Sequence, residues 1–344
     1  MRPRYPSETA LTAAMVGRGW LTPLQGRWIL RGHGRRLLVG SYALLDRVGT
    51  GGMGEVFLAR HRVLGHRAAV KVVRPDRVDS RRVRDRFLRE VRALGRLDHP
   101  NVVHAYDAGA SGRSLYLAME YVPGPDLAQA LEAGGPLPPG RACEYARQAA
   151  LGLHHLHGRG LVHRDVKPGN LSLADGGRIL KVLDVGFAKD RADAAEPGLQ
   201  GLTRIGTMVG TTDYAAPEQM LDARSAGRRA DQYALGGTLY ELLTGTVPFP
   251  GGTPTSKARR RMREDPRPVS ELRPDLPAGL AGVVGRLLAR EPAGRFPTAR
   301  AAAEALAPYA TPLPGIASAA AETAVALAHG TLSERPALSA LAAG

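Results

Sequence analysis

The chain has 344 residues, of which 44% are hydrophobic and 23% charged, so we predict a globular protein with a buried core and exclude a fibrous or disordered one. A single cysteine, Cys143, excludes an internal disulfide framework and a cysteine-based zinc cluster. The net charge of +15 comes from 42 arginines and five lysines against 32 acidic residues. This charge is spread along the chain and aromatic residues make up only 5%, so nucleic acid is not favoured as a partner.

Residues 1–40 form a basic N-terminal extension with seven arginines and one acidic residue. A few apolar positions in it predict one short helix: Leu21, Leu24, Trp28, Ile29 and Leu30. No apolar run reaches the roughly 18 residues of a membrane span, and the first residues do not resemble a signal peptide. We therefore expect a cytoplasmic protein without a transmembrane segment.

From Ser41 onward the pattern predicts a β-rich half followed by a helical half. Strands are predicted at Tyr42–Val48, Val56–Ala59, Ala68–Val73, Val102–Tyr106, Leu115–Glu120 and Ile179–Leu183, and helices at 81–97, Arg141–His157, Ala230–Thr244, Leu280–Arg290 and Thr298–Ala307. The predicted fold is α+β and two-lobed, with a small β-rich N-lobe (about 41–120) and a larger α-helical C-lobe (about 125–308). Residues 309–344 form an Ala/Pro-rich tail.

The first chemical motif is the glycine-rich segment that contains Gly49, Gly51 and Gly54. A dinucleotide-binding turn would open a helix, whereas here Val56 continues a strand, so we predict a strand–turn–strand flap. Glycines let backbone N–H groups approach a polyphosphate, although an ordinary hairpin is the alternative interpretation.

Lys71 ends an apolar strand in a chain that otherwise uses arginine. A compact ammonium suits a single phosphate oxygen better than a forked guanidinium does. Glu90 lies on the inward edge of the following amphipathic helix, where it could pair with Lys71, or it could be an ordinary solvated residue. The pair predicts a phosphate-binding lysine held by a carboxylate.

The segment from His163 to Asn170 is the most informative part of the sequence. Asp165, Lys167 and Asn170 share one proline-containing loop, and Asp184 follows a predicted strand 14 residues later. An amide and a carboxylate are suitable ligands for Mg²⁺, so Asn170 and Asp184 are the predicted metal ligands facing the phosphates.

Over residues 41–308 these motifs resemble the eukaryotic-like (Hanks-type) serine/threonine protein kinases of bacteria. The resemblance implies transfer of the γ-phosphoryl group of Mg-ATP to Ser/Thr hydroxyls of protein substrates. Asp165 would accept the hydroxyl proton, Lys167 would neutralise the γ-phosphate, and Lys71 with Glu90 would hold the α/β-phosphates. The resemblance implies further contacts to the nucleotide. Val56, Ala69, Glu120 and Val122 would lie near the adenine, and Asp126 would lie near the ribose. Thr211 would position the substrate, Asp231 would brace the catalytic loop, and Arg295 would pair with Glu218.

Two departures from the family pattern leave a second interpretation open. Val185 replaces the usual Phe beside the metal-binding Asp184, and Ser172 stands where an aliphatic residue normally packs under the adenine. An ATP-binding pseudokinase scaffold is therefore the alternative to an active kinase, and a polyanion-binding basic protein is a third hypothesis. The intact set of ionic residues favours the kinase.

Arg164, beside Asp165, predicts regulation by phosphate. We expect phosphorylated Thr203 or Thr207 to pair with Arg164 and order the activation loop, the segment from Asp184 to Glu218, unless Arg164 simply bonds backbone carbonyls. Autophosphorylation in trans would be compatible with a homodimer. The histidines at 154, 155, 157 and 163 do not converge on a zinc site, and the basic run 257–263 is interpreted as a solvated helix face.

Overall fold

The computed structural model describes residues 5, 7–51, 54–75, 81–112, 114–184, 213–221 and 227–312, without the side chains of residues 81–83, 86 and 90. These residues form two lobes, the first β-rich and the second helical, which confirms the predicted α+β plan. Among them, no helix is long and apolar enough to cross a membrane.

The N-lobe is built on a six-stranded antiparallel sheet of order β1-β2-β3-β4-β6-β5. Its strands are β1 (Leu38–Val39), β2 (Tyr42–Gly51), β3 (Gly54–His61), β4 (Arg67–Val73), β5 (Ala105–Ser111) and β6 (Ser114–Glu120). Helix α3 (Arg81–Leu94) shares a core with this sheet through Phe87 and Leu94. In β4 the buried Ala68 and Val70 alternate with the half-buried Ala69 and Lys71, so one face of the strand is left for the cleft.

Two helices precede the sheet, α1 (Glu8–Gly17) and α2 (Pro23–Leu30). Helix α2 is the helix predicted from the sequence, and it begins with a capping box between Thr22 and Gln25. Leu24 is 5% exposed and belongs to the core on the outer face of the sheet, where Trp28 also packs. The basic extension therefore forms a cap on the N-lobe. Strand β1 also lies within the predicted extension and pairs with β2, so the sheet begins before residue 41.

The C-lobe surrounds two long helices, α5 (Pro139–His157) and α7 (Arg228–Thr244), which pack against each other. Around them lie α4 (Leu127–Gly134), α6 (Pro217–Leu221), α8 (Pro254–Arg263), α9 (Val269–Leu272), α10 (Ala278–Leu287) and α11 (Ala299–Leu306). A two-stranded sheet of β7 (Leu171–Ala174) and β8 (Ile179–Val182) carries the segments of the candidate site. The apolar core continues from α3 of the N-lobe into this lobe.

The strand predicted at Val102–Tyr106 is wrong at its start, since β5 begins at Ala105. Val102 instead forms a parallel bridge with Val182 of the C-lobe. Asn101 holds it there, because its buried amide donates to Gln148 Oε1 and Leu180 O, both at 2.9 Å. An N-lobe segment is thus fixed to the strand that leads to Asp184.

Candidate active site

The glycine flap is the turn between β2 and β3, where Gly51 pairs with Gly54. The two glycines have different surroundings. A Cβ on Gly51 would meet no atom within 4 Å, whereas a Cβ on Gly54 would lie 2.0 Å from Val72 O. Gly54 is therefore required for packing against β4, and Gly51 leaves open space above the cleft. Gly49 pairs with Val56 and has only ordinary contacts.

Strand pairing brings the apolar wall of the site together on one face of the N-lobe sheet. Val56 and Leu117 are the cross-strand partners of Lys71, and Met119 is the partner of Ala69. Since opposed residues share a face, these five side chains line the same surface. The aliphatic part of the Lys71 side chain belongs to this wall, and its ammonium extends from it to Asp184.

Lys71 reaches across the cleft to the C-lobe. Its Nζ lies 2.9 Å from Asp184 Oδ1, and the two side chains are 12% and 37% exposed. The predicted partner Glu90 lies in α3, but its side chain is outside the described residues. In the structure, Lys71 thus joins the glycine-rich lobe to the predicted metal ligand.

Asp184 has an unusual backbone conformation and a lowered side-chain pKa. Its backbone φ is 51°, a conformation that most residues avoid. Burial alone would raise the pKa of Asp184, but the charge and hydrogen bond of Lys71, together with His163 and Lys167, outweigh burial and lower it. The carboxylate is therefore ionised at neutral pH and suited to a cation.

Asp165, Lys167 and Asn170 converge in the loop after α5. Lys167 Nζ lies 3.3 Å from Asp165 Oδ2, and the Asn170 amide donates to Asp165 O at 2.7 Å and to Asp165 Oδ2 at 3.1 Å. Because the Asn170 nitrogen is turned toward Asp165, its carbonyl oxygen can serve as a ligand. Asn170 and Asp184 thus offer the oxygen donors that Mg²⁺ requires.

Asp231, on α7, organises the backbone of this loop. Its Oδ2 accepts a hydrogen bond from His163 N (2.9 Å), and its Oδ1 accepts one from Arg164 N (2.7 Å). Arg164 has a φ of 64°, which costs a non-glycine residue about 1 kcal/mol, and these bonds offset that cost. The brace that the resemblance implied for Asp231 is present.

His157 is a contributor that the sequence did not reveal. Its Nε2 lies 2.7 Å from Asp231 Oδ2, and both side chains are buried. His163 also takes part, since its Nδ1 accepts from Asp165 N and its Nε2 lies 2.6 Å from Leu183 O. The histidine cluster therefore connects α5, the loop and the residue before Asp184.

The linker between the lobes contains Glu120, Val122 and Asp126. Glu120 Oε2 lies 2.9 Å from Lys181 Nζ of β8, a contact that sequence reasoning missed. Asp126 Oδ1 accepts from Gln129 N at 2.8 Å and caps α4, so one carboxylate oxygen is already used. A Cβ on Gly124 would lie 1.8 Å from Leu173 O, which shows how closely the linker approaches β7 and the buried Ser172.

A cavity of about 590 Å³ lies beside Lys167, between α4, the loop and the end of α7. Tyr214 and Glu241 form one wall and hydrogen-bond to each other. Burial raises the pKa of Glu241, although the bond from Tyr214 opposes this shift.

Four residues named in the sequence predictions fall outside the described residues: Thr203, Thr207, Thr211 and Val185.

Two ion pairs fasten the segment that follows Thr211. Asp213 Oδ1 lies 2.7 Å from Lys257 Nζ, and Glu218 makes a paired contact with the fully buried Arg295, with the nearest atoms 2.6 Å apart. The predicted Arg295–Glu218 contact is thus confirmed.

The interpretation of residues 257–263 as a solvated helix face is wrong for part of the run. Arg261 is 1% exposed and donates to Ala215 O at 3.0 Å, and Arg260 donates to Pro250 O at 2.7 Å. Their guanidinium groups satisfy carbonyls of neighbouring loops, which the local sequence does not reveal.

Two lobes, a glycine flap and converging ionic residues in the cleft between them are features typical of phosphoryl-transfer proteins. A family model described as the protein kinase domain matches residues 42–306, and the chain belongs to this family. It is 39% identical over 262 residues to the serine/threonine-protein kinase PknB of Mycobacterium leprae, covering 75% of this chain and 41% of the relative. The chain thus spans about two fifths of the length of the curated relatives it matches.

Solved structures agree with this assignment. The Mycobacterium tuberculosis PknI kinase domain is similar with a TM-score of 0.60 and 32% identity, covering 79% of this chain and 98% of that one. Rad53 in complex with AMP-PNP is similar with a TM-score of 0.64 and 26% identity, covering 79% of this chain and 66% of that one. The two-lobed fold is therefore a protein kinase fold.

Proposed function

We propose that the chain is a serine/threonine protein kinase that transfers the γ-phosphoryl group of Mg-ATP to hydroxyl groups of proteins. The observation that carries this proposal is the convergence of Lys71, Asp165, Lys167, Asn170 and Asp184 at one cleft between the lobes. Positioning and charge neutralisation are what phosphoryl transfer needs from a protein.

The nucleotide would lie between the glycine flap and the loop that carries Asp165, Lys167 and Asn170. Gly49, Gly51 and Gly54 let the backbone of the flap approach the phosphates, and Lys71 exchanges its contact with Asp184 for a phosphate oxygen. The adenine would pack on Val56 and Ala69 and meet the linker at Glu120 and Val122, with Asp126 at the ribose. The relative Rad53 was solved with AMP-PNP, an ATP analogue, which supports a nucleotide at this place.

Asn170 and Asp184 would hold Mg²⁺, which supplies positive charge to the phosphate oxygens as the bond to the leaving group breaks. Asp165 orients the substrate hydroxyl and accepts its proton. Lys167, beside Asp165, stabilises the charge on the transferred group. Glu90 would hold Lys71 once Lys71 has left Asp184.

We further propose control by the activation loop. Phosphate on Thr203 or Thr207 would pair with Arg164, whose backbone conformation Asp231 already fixes, and Thr211 would position the acceptor. Transfer between two copies of the chain would make autophosphorylation possible in trans. The reaction would take place in the cytoplasm, where cells keep ATP.

The test is transfer of labelled γ-phosphate from Mg-ATP to the chain itself and to a basic protein substrate. Asp165→Asn should abolish incorporation while ATP binding is retained. Asp175→Asn is the matched control, because Asp175 is an exposed carboxylate with φ of 51° outside the cleft, and it should transfer like wild type. Incorporation by Asp165→Asn, or ATP binding without transfer in wild type, would contradict the proposal.

A further inference from the structure

The N-terminal cap, residues 7–40, has an unusually apolar surface. Among the residues that the structure describes, eleven large hydrophobic side chains are exposed, and five of these lie in the cap: Leu11, Trp20, Ile29, Leu30 and Leu38. Trp20 is 65% exposed, although tryptophan normally buries most of its surface. Such a concentration of exposed apolar side chains indicates a surface that binds another protein or a membrane.

The same surface is strongly basic. Arg18, Arg27, Arg31, Arg35 and Arg36 are all exposed, and residues 9–45 contain no aspartate or glutamate. Arg18 lies 5.1 Å from the ring centre of Trp20, so one of these cations stacks on the exposed aromatic ring. Within the cap, Glu8 at the start of α1 is the single acidic residue, against five exposed arginines, so the cap carries a clear excess of positive charge.

The packing of the cap fixes which side is available. On one side of α2, Leu24 and Trp28 pack on the N-lobe sheet. On another side, α1 approaches so closely that a Cβ on Gly26 would lie 3.0 Å from Val16 and 3.1 Å from Thr12. The remaining side carries Arg27 and Leu30. Because α2 is anchored to the sheet, this side is presented as a rigid surface.

We propose that the cap binds the surface of an anionic lipid bilayer. Arginines pair with lipid phosphates, and the exposed tryptophan and aliphatic side chains of the cap suit the boundary between headgroups and acyl chains. A duplex nucleic acid would use the arginines but has no place for Trp20, Ile29 and Leu30. The cap would thereby dock the N-lobe on the membrane surface.

The chain allows a direct optical test, because both of its tryptophans, Trp20 and Trp28, lie in the cap. Trp28→Phe leaves Trp20 as the sole tryptophan and keeps an aromatic ring against Phe57, whose ring centre lies 5.8 Å from that of Trp28. The full chain with Trp28→Phe is titrated with vesicles of 30% phosphatidylglycerol in phosphatidylcholine, and with pure phosphatidylcholine. The emission of Trp20 should shift to the blue with the anionic vesicles only, and salt should reverse the shift.

Matched variants separate charge from apolar contact in vesicle sedimentation. Arg27→Gln/Arg31→Gln should lower the partition coefficient roughly 30-fold, since each basic side chain near an anionic surface contributes about fivefold. Trp20→Ser should lower it several-fold. The controls are Arg259→Gln/Arg263→Gln on α8 and Leu221→Ser on α6, all exposed positions in the C-lobe, and these should bind like wild type.

Three results would overturn the proposal, because each indicates that the cap does not bind an anionic bilayer specifically. If Trp20 emission does not change with anionic vesicles, the cap does not bind lipid. If DNA fragments compete with the vesicles and Trp20→Ser binds normally, the surface is a general polyanion site. If wild type dimerises in sedimentation velocity without vesicles and Trp20→Ser is monomeric, the surface joins two copies of the chain.

Discussion

Lys181 Nζ lies 2.9 Å from Glu120 Oε2, so β8, which leads to Asp184, is tied to the start of the linker between the lobes. The two side chains are 15% and 25% exposed. Glu120 Oε2 also accepts from His104 N at 3.2 Å. One carboxylate thus connects the proposed adenine end of the cleft to the strand before the proposed metal ligand.

Breaking this pair should weaken nucleotide binding and leave catalysis intact. A partly buried pair of this kind contributes about 1 kcal/mol, so Lys181→Met should raise the Kd of ATP about fivefold with little change in kcat. Glu120→Gln should have a similar effect, and the double variant should not add the two losses. The measurement is titration with a fluorescent ATP analogue alongside steady-state kinetics.

The exposed pair Arg300–Glu304, with both side chains 66% exposed, provides the control. Arg300→Met and Glu304→Gln should leave the Kd of ATP unchanged. Strictly additive losses in the Lys181/Glu120 cycle would mean that the pair does not act as a unit.

The two end glycines of the flap should respond differently to a methyl group. Gly51→Ala meets no neighbour, so the melting temperature should stay the same while ATP affinity falls several-fold because the backbone is kept from the phosphates. Gly54→Ala drives its Cβ against Val72 O and should lower the melting temperature itself. Thermal unfolding with and without Mg-ATP measures both quantities.

Gly134→Ala, in α4, is the control for these two variants. A Cβ there meets nothing within 4 Å, and alanine favours a helix over glycine, so stability should rise slightly. Equal loss of stability in Gly51→Ala and Gly54→Ala would contradict the packing difference between the two glycines.

Local patterns predicted much of this fold, because alternation in β4 and the helical spacing in α5 are properties of a single segment. The loop residues Asp165, Lys167 and Asn170 converge because a single short loop suffices to form their contacts. The sequence pattern places Val102 in the same strand as Tyr106, whereas in the structure its partner is Val182, which belongs to the other lobe and lies 80 positions later in the chain. A local pattern contains no information about such a bridge.

The burial of charged residues could not be predicted from the local sequence either. Arg261 belongs to a run of basic residues that would be solvated in isolation, yet Ala215 O and the ring of Phe249 enclose it. His157 stands out in the sequence only as one of several nearby histidines, and nothing in that stretch indicates its partner Asp231, which lies on another helix. These contacts depend on tertiary packing, so only the folded chain reveals them.

The packing of α2 on the sheet should contribute to the stability of the N-lobe. Leu24 is 5% exposed, and Leu24→Ala should reduce the free energy of unfolding by about 2–4 kcal/mol through lost burial and a cavity. Leu30→Ala, in the same helix but 43% exposed, should cost less than about 1 kcal/mol. Urea unfolding followed by the fluorescence of Trp28, with Trp20→Phe in the background, measures this difference. Equal effects of the two substitutions would show that α2 does not pack as described.

Asp231 should control catalysis without touching the nucleotide. Its carboxylate is fully buried and accepts from His163 N and Arg164 N, whereas the side-chain amide introduced by Asp231→Asn would set a donor against one of these N–H groups. An unsatisfied buried donor costs about 1–3 kcal/mol, so kcat should fall by roughly 10–100-fold as the loop carrying Asp165 shifts. The Kd of ATP should change less than kcat, because Asp231 bonds directly to the backbone of the loop that carries Asp165 and reaches Asp184 only indirectly, through His163 and Leu183. Asp265→Asn, at a 74% exposed side chain, should behave like wild type. If Asp231→Asn lowered the melting temperature but kept kcat per folded molecule, the brace would be structural and would not position Asp165.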